Sequence, residues 1–359
     1  MLIYACISSH GFGHGSRSAA VLCALAAMEP SWRLVLSTGL PAVFLEMAFG
    51  PVPFERRPLV WDVGMVQADA LSVDGAATLV ALAELERRLP DQIAGEVAWL
   101  RSQGEPVLVL GDVPPAAARV AAALGAPLAW LASFGWDAIY IPFGGELAAH
   151  GHRSRELYGQ GDLLLRCPLS LPMPWGVPEQ AVGLTCARPR LEPGRLARRL
   201  ELPMERQRCV LISFGGLGLG VDPALLARWP EHVFLGTDPA LARADNGRLL
   251  PPGVRPLEGM PLVERLITKA GYSSFCEAFS QGVGIHLVER HDFAEAPVLA
   301  EALQEHGSHR LLRREQLLAG DWELDQPLLP PRGEPLASDG AEAAATALRR
   351  LVLERHKTG

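Results

Sequence analysis

The chain opens twice in the same way. Residues 2–8 form an apolar run of strand length that breaks into His10-Gly11-Phe12-Gly13-His14-Gly15. A helical pattern then starts at Ser16 or Arg17 and runs to about Met28, ahead of a second apolar run at 33–37. Residues 209–213 begin the series again, followed by Phe214-Gly215-Gly216-Leu217-Gly218-Leu219-Gly220 and a strand pattern at 233–235. Neighbouring parallel strands need a crossover between them, usually a helix. Two such starts therefore predict an α/β chain with two Rossmann-like domains. The first glycine run is not the dinucleotide fingerprint. Gly15 falls one residue early, His14 sits inside the run, and no acidic residue closes the second strand, so NAD is not expected.

Further strand patterns lie at 107–110, 128–132, 262–268 and 283–288, and helical ones at 76–103, with a break near Pro90, and at 116–124. The 359 residues, 49% of them hydrophobic, suffice for two ordinary domains. The expected division is 1–167, a proline-rich linker at 168–200, a second domain at 201–338, and an alanine-rich helix at 339–359 that can pack back on the first domain. A net charge of −7 on a mixed surface argues against nucleic acid as a partner. The six cysteines show no metal-like spacing and lie mostly in apolar runs, which fits a reducing cytoplasm. Met1 runs straight into a strand, unlike a signal peptide, and no apolar run reaches membrane-spanning length. Neither a metal nor a cofactor is expected.

Polar residues collect where strands end: His10 and His14 after the first, Asp112 after 107–110, and Ser133 to Asp137 after 128–132. Ligands of open parallel sheets bind outside the carboxyl ends of the strands. The stretch 268–295 offers a second such place. Gly271 lets backbone approach a ligand, and Ser273 and Ser274 sit where a helix begins, a position that attracts phosphate. Glu277, one turn on, can accept from sugar hydroxyls. Ser274 and Glu277 also form a Ser-x-x-Glu capping box, which needs no ligand. Plain alternatives stand beside the other candidates: His14 as a brace for the first helix, Asp112 as a turn-former, Trp136 as core, Arg17 as a surface pair, His286 as a buried hydrogen-bonded histidine.

The order of motifs resembles the GT-B glycosyltransferases, and among them the glycosyltransferase-like amino-terminal region of plant L-arabinokinases. The segments that carry the resemblance are His10-Gly-Phe-Gly-His14-Gly-Ser-Arg17, Val66-Gln-Ala-Asp-Ala-Leu-Ser-Val-Asp74, Asp112-Val-Pro-Pro115, Phe134-Gly-Trp-Asp-Ala-Ile-Tyr140, Phe214-Gly-Gly216 and Lys269-Ala-Gly-Tyr272 through Glu295. The GHMP-type kinase part of arabinokinases has no counterpart here, so arabinokinase activity is not carried over. The resemblance implies two Rossmann-like domains facing across a cleft, with a nucleotide-sugar donor held by the second. Gly215, Gly216, Gly271, Ser273 and Ser274 would face the phosphates, Glu277 the ribose, and Asp292 and Glu295 the donor sugar. His14 would be the base, His10 the second candidate, with Asp112 or Asp137 orienting the base or binding an unknown acceptor. Glu295 replaces an amide found in many relatives, and residues 259–267 are shorter than the usual base-binding segment. Transfer would be inverting and metal-independent. A nucleotide-sugar sensor using the same residues is the alternative reading, and a nucleotide-sugar epimerase a third.

Overall fold

A computed structural model describes residues 1–66, 73–215, 221–289 and 294–358, with side chains to Arg355. Gly216, Asp292 and most of the 66–74 motif lie outside the described residues. The chain divides into two units, residues 1–185 with 338–359, and residues 186–337.

The first unit is a parallel sheet of β1 (Leu2–Ile7), β2 (Arg33–Ser37), β3 (Glu55–Arg57), β4 (Val107–Asp112), β5 (Leu128–Ala132), β6 (Leu163–Arg166) and β7 (Glu179–Ala181). Their order is β3-β2-β1-β4-β5-β6-β7. β1 is buried along its whole length, which is why an uninterrupted apolar run encodes it. The crossovers are α1 (Phe12–Met28), α2 (Ala42–Phe49), α3 (Gly75–Ser102), α4 (Ala116–Leu124), α5 (Trp136–Tyr140) and α6 (Gly145–Tyr158). The order reverses between β1 and β4, whose registers pair Ile7 with Asp112. The carboxyl edge at such a switch point is where open parallel sheets take their ligands.

Two expectations need correction in this unit. Residues 168–185 are not linker: β7 pairs with β6, Leu164 opposite Glu179, and belongs to the sheet. A three-residue edge strand among prolines has no apolar run to announce it. The glycine run after β1 is not a loop up to Ser16 either, because α1 already starts at Phe12. A Cβ on Gly15 would lie 2.5 Å from the Phe44 ring and 2.6 Å from Leu40 Cδ1. Gly15 thus serves the close packing of α1 against α2.

The second unit begins with α7 (Pro193–Arg199) and holds β8 (Cys209–Ile212), β9 (Val233–Gly236), β10 (Gly247–Leu249), α8 (Pro256–Gly259), β11 (Arg265–Lys269), α9 (Tyr272–Ser280), β12 (Gly284–Val288), α10 (Glu295–His306), β13 (His309–Leu312) and α11 (Arg314–Ala319). Its strands are parallel in the order β10-β9-β8-β11-β12-β13. The reversal falls between β8 and β11. There the Thr268 hydroxyl donates to Ser213 O at 2.6 Å and Ser213 N to Ile267 O at 3.1 Å. His286 on β12 is fully buried, with Nδ1 3.0 Å from Trp322 O and Nε2 3.2 Å from Arg265 Nη1. Burial, then the Arg265 charge, pushes its pKa down to about 3, so it is a neutral core residue. The last helix, α12 (Gly340–Thr358), returns to the first unit, where Arg349 pairs with Glu29, just past the end of α1, and Arg355 with Asp162.

The Gly15 contact yields a prediction. Gly15→Val overpacks the α1–α2 seam and lowers stability by about 1–3 kcal/mol in urea unfolding. Unchanged stability would mean that the two helices separate freely.

Candidate functional site

The carboxyl edge of the first sheet is organised on Asp112, the last residue of β4, which is fully buried. Three residues of one α1 face reach it. His14 Nδ1 lies 2.9 Å from Oδ1, Arg17 Nε donates to Oδ2 at 3.1 Å while its Nη2 donates to Oδ1, and the Ser18 hydroxyl donates to Oδ2 at 2.6 Å. Positions 14, 17 and 18 share a face because helical neighbours recur at three and four residues. Arg17 Nη1 also donates to the Ser133 hydroxyl at 2.9 Å, tying in the end of β5.

Burial alone would raise the Asp112 pKa. The Arg17 charge and the bond from His14 outweigh it and hold the carboxyl down at about 2. Asp112 is therefore an anion at neutral pH. Arg17 Nη2 also lies 3.1 Å from His14 Nδ1. The carboxylate is nearer and charged, so Nδ1 keeps its proton and donates it to Asp112. The Nε2 lone pair is then the available base. His14 is about 9% exposed, its ring 5.7 Å from Phe134 in an edge contact.

The neighbouring candidates separate by role. His10 is half-buried, its ring 5.3 Å from Trp136 in an edge contact, and its amide donates to the Ser8 hydroxyl. Trp136 is core, 1% exposed, with Nε1 donating to Asp62 Oδ2 at 2.8 Å. Asp137 does not orient the base: it is fully buried and takes Arg155 Nε at 3.0 Å and Trp175 Nε1 at 3.2 Å. Asp62, next to the buried Trp61, was not among the candidates read from the sequence. Burial raises its pKa while bonds from Ser8 and Trp136 pull it back, and its Oδ1 has no hydrogen-bond partner. It lines a cavity of about 40 Å³ with Trp61, Trp136 and Tyr140, room enough for water.

The second unit presents the other candidates. Gly271 is the N-cap of α9, so the helix starts at Tyr272 and Ser273 and Ser274 lie in its first turn. The Ser274–Glu277 capping box is accordingly not formed. A Cβ on Gly271 would meet nothing nearer than Lys269 O at 3.8 Å, so packing within the chain does not require glycine there. Gly215, two residues past Ser213, has φ +73, a conformation that favours glycine. Glu277, on α9, is about 9% exposed, and burial raises its pKa to about 7, against the pull of Arg255 and with the push of Glu258. Glu295 is the first residue of α10 and is buried. The structure thus places Gly215, Gly271, Ser273, Ser274 and Glu277 around the carboxyl ends of β8 and β11.

The Asp112 cluster sets an acid limit on stability. A carboxyl held at about 2 against an ordinary 3.8 stabilises the fold above pH 3.8, and that contribution is lost as pH falls through 2. The shift corresponds to about 2 kcal/mol. Asp112→Asn should lack this step in urea unfolding between pH 4 and 2, whereas parallel profiles for the two proteins would refute the assignment.

No protein-family model matches the chain. In sequence it is 30% identical over 365 residues to L-arabinokinase of Arabidopsis thaliana, a match covering 98% of this chain and 34% of that protein. The chain thus spans about a third of the length of that relative. Among solved structures, Arabidopsis thaliana UGT89C1 complexed with quercetin superposes with a TM-score of 0.61 at 13% identity, covering 98% of this chain and 92% of that one. Phytolacca americana UGT2 complexed with UDP-2fluoro-glucose and pterostilbene gives 0.59 at 14%, covering 98% and 93%. A UDP-glucosyltransferase from Polygonum tinctorium capable of glucosylating indoxyl gives 0.60 at 15%, with the same coverage. The chain therefore has the GT-B fold, and its sequence is similar to the amino-terminal part of L-arabinokinase.

Proposed function

We propose that the chain is a glycosyltransferase that moves a sugar from a nucleoside diphosphate sugar to an acceptor hydroxyl. The observation that carries this reading is the His14–Asp112 pair at the switch point of the first sheet, 2.9 Å apart. Neighbours of the same fold were solved with UDP, UDP-L-rhamnose and UDP-glucose, which supports a donor of that class.

In the reaction, Nε2 of His14 takes the proton of the acceptor hydroxyl, and the oxygen attacks the anomeric carbon. The bond from that carbon to the phosphate oxygen breaks, and the nucleoside diphosphate leaves. Asp112 holds the imidazole in the required tautomer and stabilises the imidazolium that forms, the role an acidic partner plays in other histidine bases. Arg17 and Ser18 keep Asp112 ionised and fixed, so they act on the base indirectly. A single displacement inverts the anomeric centre. Charge on the leaving diphosphate falls to the N-terminus of α9, with Ser273 and Ser274, and to Gly215 and the Gly216 that follows it in sequence. In this reading no metal is required. Glu277 takes the ribose, and Asp292 and Glu295 take the donor sugar.

A ligand that binds only the folded state must stabilise it. Millimolar UDP, GDP, ADP or CDP should therefore raise the melting temperature. His14→Ala should leave that shift in place while lowering transfer or donor hydrolysis at least about 100-fold by mass spectrometry. Turnover that survives His14→Ala would overturn the assignment of the base. Binding with no turnover in either protein would mark a sensor instead.

A further inference from the structure

Arg255 is an anomaly in the second unit. It lies in the segment after β10 and caps α8, so it leaves the sheet at the carboxyl edge, as Gly271 does after β11. Its side chain is about 8% exposed, yet Nη2 has no hydrogen-bond partner. A buried donor without a partner is rare and asks for an occupant. Glu277, nearly as buried, receives no side-chain hydrogen bond among the described residues. The two charges feel each other, since Arg255 pulls the Glu277 pKa down against burial, but no ion pair joins them among the described residues. Glu258 is not free to take either role, because its Oε2 accepts from the amides of Arg190 and Leu191, both at 2.8 Å.

A buried guanidinium with an unpartnered N–H, and a buried carboxyl that feels its charge without a bond between them, call for a bridging group. With Glu277 ionised, that group must accept from a guanidinium and donate to a carboxylate. A carbonyl or phosphate oxygen only accepts, and an amide nitrogen only donates. A hydroxyl does both, and the vicinal pair on a ribose does so twice. We propose that Arg255 and Glu277 together grip the ribose hydroxyls of the donor nucleotide, with Arg255 donating to their oxygens while Glu277 accepts their protons. Arg255 is then a specificity-determining residue that selects ribonucleotides. This inference rests on the proposed function, which supplies the nucleotide.

The test compares a ribonucleoside diphosphate with its 2′,3′-dideoxy counterpart by calorimetry on the full chain. The base is whichever of UDP, GDP, ADP and CDP gives the largest thermal shift. Wild type should bind the ribose form at least about 30-fold more tightly. Arg255→Met should cut that ratio about tenfold, leave binding of the dideoxy form nearly unchanged, and leave the melting temperature of the unliganded protein level or higher, because a buried unpaired charge is gone. Arg255→Lys, which keeps the charge but loses the fork, should also reduce the ratio and serves if the methionine variant does not fold. Arg255→Met and Glu277→Gln should be non-additive on ribose-form affinity, since both act on one group. An unchanged ratio in the Arg255 variants, or equal losses for both nucleotides, overturns the proposal while leaving the nucleotide site intact. No shift with any of the four diphosphates defeats the underlying reading instead.

Discussion

The site in the first unit depends on one ion, the Asp112 carboxylate. A carboxylate with no solvent contact would ordinarily take up a proton, since removing its charge from water is expensive. Asp112 stays charged because α1 brings a guanidinium, an imidazole N–H and a hydroxyl to it at once. Hydrogen bonds to a charged partner are worth about 1.5–3 kcal/mol each, and here they converge on one atom pair. Removing any one donor leaves the others facing a less compensated charge, so the cluster acts as a unit. It also joins three elements: β4 supplies the acid, α1 the donors, and β5 the Ser133 hydroxyl behind Arg17.

That arrangement gives the histidine its direction. With Nδ1 committed to Asp112, the ring cannot rotate without breaking a charge-assisted bond, and Nε2 is left as the reactive nitrogen. Arg17 is the unusual member. It neutralises much of the Asp112 charge and sits 3.1 Å from the same imidazole nitrogen. It competes with the imidazole for the acid while fixing where the acid lies. The second unit shows the opposite arrangement. Around Glu277 the charges stand near one another without closing, which is the condition a binding pocket needs and a folded core avoids.

Much of the fold was legible because buried parallel strands are continuous apolar runs. The bounds 33–37, 128–132 and 116–124 read from the sequence are those of β2, β5 and α4. The edge strands were not legible: Glu55–Arg57 and Glu179–Ala181 are three residues long and carry charge or polarity rather than an apolar pattern. The site was legible as an edge of the sheet, not as a cluster. His14 and Asp112 are 98 residues apart, and only the parallel register brings them together. Starting the helix at Ser16 or Arg17 also hid the 14, 17, 18 spacing, because His14 then counted as loop. Gly15, read as part of a glycine loop that misses the dinucleotide spacing, answers to Phe44 and Leu40. Arg255 carried no signal at all, lying in a turn between prolines, and its meaning comes only from burial without a partner.

A base at His14 requires that Nδ1, not Nε2, carry the proton of the neutral ring. In ¹⁵N-histidine-labelled protein, long-range ¹⁵N–¹H correlation at a pH where the ring is neutral reads the tautomer directly, with His14→Ala giving the assignment. The structure predicts a protonated Nδ1 and a bare Nε2, with the pattern reversing or averaging in Asp112→Asn. A His14 protonated on Nε2, with Nδ1 accepting from Arg17, would make it a donor instead of a base and contradict the mechanism at its first step.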